Sequence, residues 1–144
     1  MTKEQIQLVK QSWEHIIPVR LLVGELFYKR LFREAPELRH MFKSDTKAQE
    51  GKLLDMLSHI VKNLDRLEVL SNEFTELAKR HNGYGIKPQQ YAIVRRCLMS
   101  VLEECLSEHW NEEVKYAWVL AYHTLSSIMI DIQLDTGGPY LKSA

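Results

Sequence analysis

Apolar residues recur along this chain at three- and four-residue spacing, and no stretch alternates convincingly with period two, so the pattern predicts an all-α protein. Thr2 and Gln5 have the spacing of a capping box, and the helix they open runs to about Ile17, before Pro18. Leu22, Leu26, Phe27, Leu31 and Phe32 mark a second helix, which the EAPE break ends at Pro36. A short helical piece is expected over 36–42. The polar connection KSDTKAQEG follows, with Ser44, Asp45 and Thr46 as alternative N-caps. Apolar positions 53, 56, 57, 60, 61 and 64 then form one helical stripe. Past the polar run NLDRLEVLSNE, Ser71 is the candidate cap of a short helix ending at His81, where Gly83 and Gly85 suit a turn with positive φ. Pro88 suits the first position of a helix reaching about Leu106. Asn111, with Glu112 and Glu113, opens a last long helix to about Gln133, before DTGGPY.

No repeat, low-complexity tract or linker divides the 144 residues, so a single domain over 1–144 is expected. Hydrophobic residues make up 45% and charged residues 26%, a globular profile with enough apolar material for a real core. Basic and acidic residues balance at 19 each, which gives no field favouring nucleic acid or an anionic membrane. The opening MTKEQIQ lacks the apolar centre of a secretion signal, and YAWVLAY, the longest apolar run, is far too short to span a bilayer. A cytoplasmic protein is therefore the expectation. Cys97 and Cys105 share one helical stretch, with backbones about 12 Å apart at the usual rise, too far for a disulfide. No CxxC pair supports zinc or iron–sulfur binding, and free thiols are expected.

Candidate chemistry centres on His81. A histidine near a helix C-terminus serves the dipole as a cation or, kept neutral, a metal as a ligand. Upstream stands ELFYKRLFREAPELRHMFK, an aromatic pair before a Pro-led corner and then Phe42. Together with Gln49 and Leu53 on one helix, H..YGIKPQQY and AW..AY, this makes an ordered set. Phe42 falls 14 residues after Tyr28, and His81 falls 32 after Gln49. With these motifs the chain resembles the globins over essentially its whole length. The likeness is greatest to single-domain bacterial globins and to the haem domain of flavohaemoglobins.

The resemblance implies a globin fold of six to eight helices packed around one haem pocket, with haem b (iron protoporphyrin IX) as cofactor. It makes His81 the proximal iron ligand. Phe42 would lie flat on the porphyrin, a role compatible with ordinary core packing. Tyr28, Gln49 and Leu53 would form the distal pocket, with Tyr28 and Gln49 as hydrogen-bond donors that favour dioxygen over carbon monoxide. Each has a plainer reading. Gln49 also completes a capping-box pattern with Thr46, and Tyr28 would equally serve as an interior tyrosine bonded to a backbone carbonyl. Leu77, Ile86 and Val94 would line the proximal side and edge of the haem, or be plain core. Lys52 and Arg80 would meet the propionates, or be solvated charge. His59, about 240° around the helix from Leu53, is expected to face away from the iron, leaving no distal histidine. Tyr91 matches a tyrosine that helps to orient the proximal imidazole. Aligned on Trp118, the resemblance puts Gln133 at the position of that tyrosine's glutamate partner, where a neutral amide pushes less electron density toward iron, unless Asp131 or Asp135 substitutes through a shifted helix end.

Two functions follow from the resemblance. One is tight oxygen binding with nitric oxide dioxygenase activity, in which Tyr28 and Gln49 act on the bound gas. Dioxygen, nitric oxide and other small haem ligands are then the partners. Because no G-x-G-x-x-G occurs here, turnover would draw on a separate electron-donating reductase. The other is a non-enzymatic oxygen carrier, buffer or scavenger. Gas sensing is disfavoured without a transmitter domain, and the intact His81 and Phe42 argue against a haem-free globin shell.

Overall fold

The computed structural model describes residues 1–42, 46–84 and 86–135. Six α-helices occur among them: α1 (Lys3–Ile16), α2 (Arg20–Glu34), α3 (Thr46–Lys62), α4 (Ser71–Tyr84), α5 (Gln90–Leu106) and α6 (Glu112–Asp135). Short 3-10 segments at Ile17–Val19, Pro36–Met41, Leu67–Leu70 and Ser107–His109 turn the chain between them. Among the described residues there is no strand. The predicted caps Ser44 and Asp45, Gly85, and residues 136–140 of the terminal break lie outside the described residues.

Local chemistry accounts for several boundaries. The α1 capping box is complete: Thr2 Oγ1 accepts from the Gln5 N–H at 3.1 Å, and Gln5 Oε1 accepts from the Thr2 N–H at 2.8 Å. Asn111 Oδ1 accepts from the Val114 N–H at 2.9 Å and so caps α6. Two expectations need correction. α4 continues through His81 and Gly83 to Tyr84, so His81 sits within the last turn instead of ending the helix. A glycine inside a helix weakens it by only about 1 kcal/mol, which tertiary packing overrides here. Pro88 lies in a turn ahead of α5, whose first residue is Gln90; that turn is closed by N–H donation from Gln90 to Lys87 O and from Tyr91 to Pro88 O.

The core is built by α1 against α6 and by α2 against both α3 and α5, while α4 packs on α6. Val9, Ile16, Val23, Val101 and Leu102 are fully excluded from solvent. Two indoles cross at its centre, Trp13 and Trp118, with centroids 5.9 Å apart. Neither N–H is wasted: Trp13 donates to Ser58 Oγ at 3.0 Å and Trp118 to Ser12 Oγ at 2.8 Å. Gly24 brings α2 onto α3. A methyl group on it would come within 3.0 Å of Glu50 Cβ and 3.2 Å of Leu54 Cδ2. Both cysteines are free, and burial beside Glu34 pushes the Cys97 thiol up to about 11. No helix among the described residues is long and apolar enough to cross a membrane.

Candidate functional site

α3 and α4 make little direct contact, and a cavity of about 710 Å³ lies between them, with α2, α5 and α6 closing the other sides. Its size suits a large organic ligand. Every site residue singled out from the sequence stands in its wall: Tyr28, Phe42, Gln49, Leu53, Leu77, His81, Ile86, Tyr91 and Val94. The helices explain the convergence. Gln49 and Leu53 are four apart on α3, and Leu77 and His81 are four apart on α4, so each pair shares one face.

On the α2 and α3 side, Tyr28 is buried, with the Gln49 side chain near its phenol. Burial is the main reason why its phenol is pushed up to about 12; the Gln49 side chain opposes the shift and the Glu50 charge adds to it. The phenol thus stays protonated and able to donate. Gln49 is the fourth residue of α3, one past the capping-box register of a helix beginning at Thr46. Tyr28 and Phe42 meet edge to face at 5.6 Å, with Phe32 against both.

Across the cavity, His81 Nδ1 lies 2.8 Å from the Leu77 carbonyl oxygen. A carbonyl only accepts, so Nδ1 carries the proton and Nε2 carries the lone pair in the neutral ring. Burial depresses the His81 pKa, the Leu77 bond resists that, and Arg80 reinforces it. Tyr91 stacks at 6.1 Å from the imidazole, nearly parallel, and sends its hydroxyl to Gln133 Oε1. Gln133 is completely buried and also donates from Nε2 to Asn82 Oδ1 and the Ile86 carbonyl. Lys52 and Arg80 line the cavity from opposite helices, both with exposed side chains.

His59 stands at the exposed edge of the cavity, with Nε2 4.0 Å from Glu73 Oε1 of α4. Two contributors gave no readable signal. Asn82 accepts from Gln133 Nε2 at 3.1 Å, and Tyr122 donates its hydroxyl to the Tyr91 carbonyl at 2.7 Å.

The family model described as Globin matches residues 25–129. The chain belongs to the globin family. This globin is 28% identical to a flavohaemoprotein of Vibrio cholerae over 99% of its own length, and it spans about a third (36%) of that relative. It is also 28% identical to a globin-like protein of Aquifex aeolicus, covering 92% of this chain and 94% of that one. A solved bacterial globin from Campylobacter jejuni superposes with a TM-score of 0.81 at 28% identity, over 94% of this chain and 98% of the other.

Membership of the globins implies haem, and the residues present fit it. The apolar walls match a porphyrin face, and Lys52 and Arg80 match its carboxylates. The neutral imidazole of His81 keeps a nitrogen lone pair of the kind that iron takes.

Proposed function

We propose that this globin binds haem b through His81, takes up dioxygen tightly beside Tyr28 and Gln49, and acts as a nitric oxide dioxygenase fed by a separate reductase. The observation that carries the reading is that buried Tyr28 and half-buried Gln49 stand in the wall of the same cavity as a neutral histidine. Haem supplies the iron at which dioxygen and nitric oxide combine to nitrate as ferrous iron becomes ferric. His81 holds that iron from one side, its ring fixed by Leu77 O. Leu77, Ile86, Val94 and Tyr91 pack the same side, while Phe42 and Leu53 exclude water on the faces they cover. Tyr28 and Gln49 donate to a ligand atom that gains negative charge, a preference that neutral carbon monoxide does not share. The whole of residues 1–144 serves as one domain in this reading, working in the cytoplasm where nicotinamide-linked reductases supply electrons.

The neutral amide of Gln133 favours a second reading, a carrier or buffer of oxygen, because little electron density is pushed toward the iron from the proximal side. Titration with hemin tests the shared premise: a Soret band is expected, and it should be lost or shifted in His81→Ala. Oxygenated protein mixed with nitric oxide, a cell-derived reductase and NADH should then produce nitrate over many turnovers. Re-reduction much slower than oxidation would leave the carrier as the better account.

A further inference from the structure

Gln133 is the one polar side chain among the described residues with no solvent exposure, and its amide is engaged on both sides. Oε1 accepts from the Tyr91 hydroxyl of α5, while Nε2 donates to Asn82 Oδ1 and to the Ile86 carbonyl, each at 3.1 Å. The backbone carbonyl fixes which way the amide faces, since only the NH2 end can serve it. Asn82 follows His81 directly. Ile86 returns to it as well, because its N–H donates to the His81 carbonyl at 3.0 Å. One side chain of α6 thus holds the residue after His81 and the residue that caps His81's own carbonyl.

We infer that Gln133 is a positioning residue that fixes the backbone around His81 through a donor pattern only an amide satisfies, and that keeps negative charge away from the proximal side. This inference rests on His81 as the haem ligand. A carboxylate of the same shape would still accept from Tyr91, but would turn oxygen atoms toward two acceptors in a dry site. That arrangement is strongly unfavourable unless a proton is retained or Asn82 reverses its amide. Gln133 acts on His81 through Asn82 and Ile86.

The test compares wild type with Gln133→Glu, which keeps shape and removes two donors, and Gln133→Leu, which removes the bonds to Tyr91, Asn82 and Ile86. Tyr91→Phe, which deletes one hydroxyl, serves if either fails to fold. Three readouts apply: hydrogen exchange at the Ile86 N–H in protein without haem, the iron–imidazole stretching band of the reduced haem protein, and its midpoint potential. Faster Ile86 exchange and a displaced, broadened stretching band are expected in all variants. The potential should fall in Gln133→Glu, because a nearby anion favours ferric iron. Unchanged exchange, band and potential, with only a lower melting temperature, would overturn the inference and leave Gln133 as core. Failure of the wild type to take up hemin would instead sink the assignment of His81, a separately visible result.

Discussion

Tyr28 concentrates the chemistry of the site. Its phenol is buried and its pKa is pushed up to about 12, so it keeps its proton throughout the physiological range. A hydrogen bond to a charged acceptor contributes about 1.5–3 kcal/mol, which corresponds to roughly one to two decades in ligand release. Tyr28→Phe is therefore expected to raise the oxygen dissociation rate about tenfold or more. Stopped-flow displacement by carbon monoxide measures it, and an unaltered rate would mean that the phenol does not contact the ligand.

At the scale of elements, the distal pair depends on how closely α3 lies on α2, and Gly24 governs that approach. Gly24→Val would drive branched carbons into Glu50 Cβ and Leu54, costing about 1–3 kcal/mol and moving the helix that carries Gln49. Denaturant unfolding should register the loss, and oxygen affinity should fall with it. Thr2→Ala offers the contrast. It removes the α1 capping box far from the cavity, so about 1 kcal/mol of stability should go with ligand kinetics unchanged. Helix positions were legible in the sequence because apolar spacing, caps and prolines all act locally. The extension of α4 past His81 was not, because Gly83 signals a stop that packing against α6 overrules. The cavity has no local signature either. Its wall residues were found through the ordered motifs of a known family, whereas Asn82 and Tyr122 required the assembled helices.

The molecule as a whole titrates through the same site. Burial holds the folded His81 pKa below its ordinary 6.5. Above that value neither folded nor unfolded chain binds the proton, and stability is complete. As pH falls, the unfolded chain is protonated first, so stability drops through the window down to the lowered folded value. Protein without haem should accordingly melt at lower temperature below about pH 6.5, and His81→Leu should flatten that part of the profile. Thermal scans across pH measure it, and parallel profiles for the two proteins would contradict it.

Trp118 adds a consequence of its own. Its indole belongs to the cavity wall while its N–H is tethered to Ser12, so it reports from a fixed vantage in the interior. Indole emission overlaps the strongest absorption band of a porphyrin, and energy passes efficiently between chromophores this close. The protein therefore carries its own optical gauge: its ultraviolet fluorescence should dim in proportion to pigment bound, and Trp118→Phe should blunt that response.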